Sequence, residues 1–515
     1  PHVAGAGALL KALHPDWTPG QIKSALMTTA RTQVVKEDTR TPATPYDMGA
    51  GRIDLSHAGD PGLTFDIAAD AFLTDTAHLY RLNYPSISLP VMPGRQSVTR
   101  TVRSVLNLDA TWVITTTAPA GAHITVEPAS FTVPARGTAT FTVTVDGGSQ
   151  PEGTYFGSVQ LQSGERQLHM PVSWVRAQPQ LALAQHCDPS TVIRRGDTRC
   201  AIVATNNSPT NATFDLTMRL PRGLSMRETT LSGASYDHPA RLLHYSGTLP
   251  GYQPPSVAVT PDPAGLPVGY TPLASMGVGP APCDARCDET ALLFNVLPFS
   301  YNGASYTRIV MVSNGYLIIG DGRAVRSFNQ KFPDPEPPNN VIAPYSTDLD
   351  LRGLLPTDRG GGAWYAAYVT VGLDSPTWFV AEWTDVPRYG RDPAISHHTF
   401  QVWIELGTDH IHMVYGPNSP TEDTLTVGAE NSDGSGGSNY YVDMLGGNGA
   451  SGSGTPPVAG DVLKVSAVAE QRSAHEVGFL LRGKRVGSYL LSAELTADIL
   501  DGVNVVTQPI TVVAP

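Results

Sequence analysis

The chain is poor in charge, poor in cysteine and without a long apolar run, and each shortage removes a class of function. Asp, Glu, Lys and Arg make up only 16% of 515 residues, and the formal net charge is −12. Lys and Arg nowhere cluster, so there is no basic face to neutralise phosphates, and no nucleic-acid partner is expected. No run of about 18 apolar residues occurs, so no transmembrane segment is expected. The four cysteines fall into two local pairs, Cys187/Cys200 and Cys283/Cys287. An even count at local spacing suits disulfides made in an oxidising compartment, which points to a secreted or extracellular protein. Cys-x3-Cys would also serve as half of a metal site, but no second Cys/His pair lies close to it in sequence.

Glycine and proline are plentiful, at 50 and 44 residues. With many Val, Thr and Ser, they favour short strands joined by tight turns. A chain of this length exceeds one hydrophobic core, and about three to five domains are expected. It begins with Pro1 rather than Met and carries no signal peptide, so a longer parent is expected.

Only residues 1–30 read clearly as helix. Val3, Leu9, Leu10 and Leu13 are interspersed with Ala4, Gly5, Ala6, Gly7 and Ala8. That many small residues weaken a helix unless other backbone approaches it closely. Thr18-Pro19-Gly20-Gln21 reads as a capping box with proline at the first helical position, opening a second helix through Ile22 and Leu26.

Pro1-His2-Val3-Ala4-Gly5 resembles the end of the subtilase nucleophile motif, Gly-Thr-Ser-Met-Ala-x-Pro-His-Val-Ala-Gly. His14 to Pro19, Ser24 to Ala30 and Tyr46 to Asp54 match the segments downstream of that motif in the family, in the same order. The resemblance implies an extracellular serine endopeptidase, bacterial in source, acting on protein or peptide substrates. It puts the nucleophilic serine four positions before Pro1, and the triad Asp and His further upstream. This chain would therefore carry no triad and would be inactive alone. In such an enzyme the serine sits at a helix N-terminus, where unpaired N–H groups favour a developing oxyanion. His2 is then a structural helix residue rather than the base. Ser24 and Ser56 lack nucleophile context and read as helix-surface or cap residues.

The rest alternates apolar and polar positions at strand spacing. The expected fold is mainly β: several β-sandwich domains following a short α-helical remnant of a subtilisin-like α/β catalytic domain. Residues 1–58 form that remnant. Residues 78–176 hold about seven short strands, the number of an immunoglobulin-like sandwich, and Leu82-Asn83-Tyr84-Pro85-Ser86 is similar to the fibronectin type III-like domain that trails subtilases. Residues 177–269 begin a second sandwich, similar to the bacterial conserved-repeat type. Its closing strands are found only in 469–515. Residues 270–468 are therefore read as an inserted β domain, resembling a nidogen-like domain. The Pro/Gly-rich stretches 250–282 and 445–460 are read as its linkers. Insertion at a loop tip is cheap when the two ends lie close.

Several residues of the insert invite a chemical reading. Glu382 and Glu405 would mimic a carboxylate pair, but the strand period points both to solvent. Asp348 and Asp350 are candidates for calcium, which takes several oxygen ligands; a turn or solvent role is the alternative. No other cofactor is implied. His397, His398, His410 and His412 suggest zinc, yet no third ligand is evident. Trp378, Trp383, Trp403, Tyr440 and Tyr441 would line a ligand surface or simply pack the core. Beyond residue 60, a non-enzymatic adhesion module binding polysaccharide or protein fits as well as a protease. Residues 1–58 favour the protease.

Overall fold

A computed structural model of the 515-residue chain describes every residue except 228–230, 232, 267, 283–286, 323, 328, 352–360, 373–374, 392–394, 419–423 and 445–448. The chain divides into two compact units, Pro1–Tyr252 with Arg472–Pro515, and Gln253–Gln471.

The first unit opens with helix α1, His2–Leu13, and helix α2, Pro19–Thr28. The capping box forms as its residues predict: Gln21 N–H donates to Thr18 Oγ1 at 3.0 Å, and Thr18 N–H donates to Gln21 Oε1 at 3.1 Å. Two single-turn helices come after, α3 (Pro45–Met48) and α4 (Leu55–Ala58). Ala6, Leu10, Trp17, Ala25, Leu26 and Ala58 form a small core. Ser24 is neither a cap nor a surface residue. It is fully buried, and its Oγ accepts the Phe65 N–H at 2.8 Å, tying α2 to the chain that enters the first sandwich.

That sandwich faces a five-stranded sheet against strands Gly94–Ser104, Thr138–Asp146 and His123–Glu127. Strand Gly94–Ser104 buries every second residue, as a sheet with one covered face requires. The buried side chains, Trp112, Phe141 and Trp174 among them, meet between the sheets.

The second sandwich is built from strands on both sides of the insert. Asp197–Asn206 pairs with Ser473–Gly483 over ten residues, and Ala212–Arg219 pairs with Gly487–Ala497. Cys187 and Cys200 face each other across paired strands and are joined by a disulfide. The two sandwiches also share a sheet, which no local pattern announces. Gly94 and Arg95 pair with Asn504 and Val503, making one sheet of ten strands. Glycine is required at 94, because a Cβ there would collide with the Val505 backbone nitrogen. Arg176 Nη2 donates to Val505 O at 2.8 Å across the same junction.

The inserted unit starts earlier than the sequence suggests. Strand Ser256–Pro261 lies in the stretch read as linker, yet it pairs with Val462–Val468 along its whole length. Proline stands at the end of that strand, which is also a sheet edge, so no interior ladder bond is lost. The chain ends of the insert are close: Gln253 bridges Gln471, while Arg472 lies 5.1 Å over the Tyr252 ring. Two six-stranded sheets enclose its main core. Their outer faces are covered too, one by Leu266 and Leu273 over Trp378 and Trp403, the other by Phe332. Strands covered on both sides read as continuous apolar runs, and His398–Glu405 is buried at seven of its eight positions.

Candidate functional site

Helix α1 has no side-chain cap at Pro1 and leaves its N-terminal turn exposed. Pro1, His2, Val3, Ala4 and Gly5 are all exposed. His2 lines an open depression of about 760 Å³ with Ala6, Arg31, Arg52, Asp54 and Leu55. Among the described residues, no hydrogen bond ties His2 to an acid or a hydroxyl. Only Ala6 and Leu10 of α1 are buried, whereas Val3, Leu9 and Leu13 are 61–66% exposed. A helix with apolar side chains on opposite faces belongs inside a core.

Beside this helix, Asp54, Ser56 and His57 offer the residue types of a hydrolytic triad. Ser56 Oγ lies 3.0 Å from His57 Nδ1, and Asp54 Oδ2 lies 3.1 Å from the same nitrogen. A working triad uses both imidazole nitrogens, one toward the acid and one toward the hydroxyl. Here acid and hydroxyl crowd one nitrogen, and the Ser56 hydroxyl also donates to Asp54. The group is the N-cap of α4: Ser56 N–H donates to Asp54 Oδ1 at 3.1 Å. The bond from the Ser56 hydroxyl, then that from Arg31 (2.7 Å), holds the Asp54 carboxyl well below its usual range. Asp54 is the cap, and Ser56 is an exposed residue in the first turn of α4, the helix-surface role the sequence suggests.

In the inserted unit the carboxylates do not pair as chemistry would need. Glu382 is fully buried rather than solvent-facing. Its Oε1 accepts the Tyr270 hydroxyl at 2.7 Å and the Thr384 hydroxyl at 2.9 Å, and its Oε2 accepts the Leu273 N–H at 2.8 Å. The alternation rule fails because this sheet is covered on both faces. Glu405 stands opposite Trp378, four residues along the strand from Glu382, and binds His410 Nδ1 at 2.6 Å. The histidines disperse as well. His412 Nε2 faces Asp262 Oδ2 at 3.3 Å, and His398 stacks on Tyr345 at 4.4 Å. Trp378, Trp383, Trp403 and Tyr441 are buried core residues, and Tyr440 packs against that core.

Asp348 and Asp350 are also separated. Asp350 is 3% exposed, and its N–H donates to Pro387 O at 2.9 Å. Asp348 instead meets Asp288 and Glu289, with one carboxylate oxygen of each within 4.8 Å of the others. Asn314 braces this group, donating to Glu289 Oε2 at 3.1 Å and accepting the Leu349 N–H at 3.2 Å. Burial, opposed by the Asn314 bond and reinforced by Asp288 and Asp348, pushes the Glu289 carboxyl above its ordinary value. Three oxygen donors at this spacing are of the kind that hold a hard cation. Asp348 is legible in the sequence, but Asp288 and Glu289 are not, since about sixty residues separate them from it and no motif links them. Cys283 lies outside the described residues; Cys287 is buried and disulfide-bonded.

Residues 1–51 match the subtilase family. Residues 81–174 match a fibronectin type-III domain, and 270–452 match the NIDO-related family. Subtilisin-like protease SBT2.5 of Arabidopsis thaliana is 34% identical over 212 residues, covering 33% of this chain and 26% of that protein. Subtilisin-like protease SBT1.7 of the same plant is 35% identical over 213 residues, covering 34% of this chain and 28% of the relative. The chain spans about a quarter of the length of the curated relatives it matches. Among solved structures, a PapD-like domain of human CEP192 is 17% identical and covers 18% of this chain and 82% of that one, with a TM-score of 0.16. The two proteases are from a plant, and they give no support to a bacterial source. Among the described residues no helix is long and apolar enough to cross a membrane.

Proposed function

We propose that this chain is the C-terminal part of a secreted subtilisin-like serine endopeptidase that hydrolyses peptide bonds in proteins by acyl transfer. The observation that carries this reading is the run of subtilase-like residues from Pro1 to Gly51, folded as two consecutive helices. In that family's motif the nucleophile precedes Pro1 by four positions, so α1 is the helix behind the serine. Its dipole and free N–H groups would then favour the oxyanion of the tetrahedral intermediate. The exposed apolar residues Val3, Leu9 and Leu13 support this assignment, because the remainder of a catalytic domain would cover them. His2 has no catalytic part in the scheme. The Asp54–Ser56–His57 group caps α4 and performs no chemistry.

The β domains beyond the helices are accessory. They would present protein or polysaccharide ligands to the enzyme or space it from a surface, and the Asp288–Glu289–Asp348 group is where a calcium ion would bind.

A fluorophosphonate probe tests the division of labour. The parent protein, with its upstream segment, should label on a single serine. The 515-residue chain should not label, and labelling of Ser24, Ser56 or any other serine within it would overturn the reading.

A further inference from the structure

Residues 329–340 add no strand to either sheet of the inserted unit. They lie as a strap across one sheet, where Phe332, 4% exposed, joins Val310, Tyr316 and Val341. Side chains fasten the strap. Phe332 N–H donates to Asn439 Oδ1 at 3.0 Å, and Asn439 Nδ2 donates to Phe332 O at 2.6 Å. Asn329 Nδ2 donates to Thr426 Oγ1 at 3.0 Å, and Thr426 Oγ1 donates to Gln330 O at 2.6 Å. Asp334 N–H donates to Glu430 Oε2 at 2.9 Å.

The last fastener differs from the others. Glu430 ends strand Leu425–Glu430 and is fully buried, and its Oε1 has no hydrogen-bond partner among the described residues. The nearby cation does not serve it: Arg326 reaches Asp334 at 3.4 Å and Glu336 at 3.3 Å. Asp334 adds a second carboxylate beside it. Lys331 on the strap is exposed, and Tyr301, at the end of strand Ala291–Tyr301, donates to the Glu430 backbone oxygen rather than to its carboxyl. A charged carboxylate buried with one bare oxygen is costly, and a neutral carboxylic acid is far less so.

We propose that Glu430 is a proton-operated latch: its neutral acid lets residues 329–340 close over the sheet, and its ionisation loosens them, because water reaches the bare oxygen only when the strap lifts. Burial first, and then the Asp334 carboxylate, push the Glu430 carboxyl from 4.5 up to about 8, against the pull of the Asp334 N–H and Arg326. A carboxyl raised in the closed state stabilises closure fully below its ordinary value. That stabilisation is lost as pH climbs toward about 8 and is constant above it. Opening of the strap exposes Phe332 and the apolar sheet face beneath it.

Limited trypsinolysis of the intact chain reads the strap through the Lys331–Phe332 bond. Cleavage is expressed relative to Arg40 in an exposed loop of the other unit, which cancels the pH dependence of the protease. The ratio should rise at least about tenfold between pH 6 and 8 and level off above, as an opening equilibrium linked to one proton requires. Glu430→Gln should flatten the profile. A flat wild-type profile, or a Gln variant that keeps the slope, overturns the latch. Should the variant misfold, infrared titration of the wild type decides. One protonated carboxyl C=O band should disappear between about pH 7 and 9, and its absence overturns the proposal.

Discussion

Removal of the Glu382 carboxylate should loosen the inserted unit more than a surface change would. Three donors converge on it: the Leu273 N–H and the hydroxyls of Tyr270 and Thr384. Leu273 is fully buried, so in Glu382→Ala its N–H would be stranded away from water, at about 1–3 kcal/mol. The two hydroxyls are only half-buried, and water partly replaces their lost bonds. With the vacated side-chain volume, the expected loss is about 3–5 kcal/mol. Glu382→Gln should lose only about 1–2 kcal/mol. Its amide oxygen still accepts the Leu273 N–H, and its NH2 donates to a Tyr270 hydroxyl that rotates to accept. Urea unfolding followed by tryptophan fluorescence is the assay, since four of the seven tryptophans lie in this unit. At a slope of about 2 kcal/mol per molar urea, the Ala variant should unfold about 1.5–2.5 M earlier than wild type. An Ala variant within about 0.5 kcal/mol of wild type, the size of an ordinary surface effect, would refute the reasoning. So would a Gln variant weaker than Ala.

Two further outcomes concern the other unit. Replacing Cys187 and Cys200 together by Ser opens a link between residues 13 apart. The change should cost about 3 kcal/mol by chain entropy, measurable by calorimetry as a lower midpoint for this unit, and an unchanged midpoint would contradict it. Arg100 is 1% exposed, with no salt bridge to an acid among the described residues, and burial lowers its guanidinium to about 10. It donates to the carbonyls of Tyr80, Tyr84, Ser86 and Thr99 at 2.9–3.0 Å. Arg100→Met should destabilise the first sandwich by about 2–4 kcal/mol. Arg100→Lys should not restore it, because one ammonium cannot span four carbonyls; a Lys variant equal to wild type would contradict that role.

Features that depend on neighbours along the chain are legible in the residues alone. The Thr18–Gln21 cap is written in four residues, and a cap needs nothing beyond its own turn. The alternation in Gly94–Ser104 announces a half-covered strand because period two is a property of the backbone. The motif from Pro1 to Asp54 points to a family, though not to an active site, since the residues it orients are not within it. Features that depend on what covers a strand, or meets it from afar, emerge only in the folded chain. Glu382 reads as solvent-facing because a single strand says nothing of a second layer above it. Strand Ser256–Pro261 reads as linker because its partner lies about two hundred residues on. Distance in sequence likewise hides the sheet shared by both sandwiches, the grouping of Asp288 and Glu289 with Asp348, and the burial of Glu430. Burial and charge proximity act through space, so only tertiary contacts assign them.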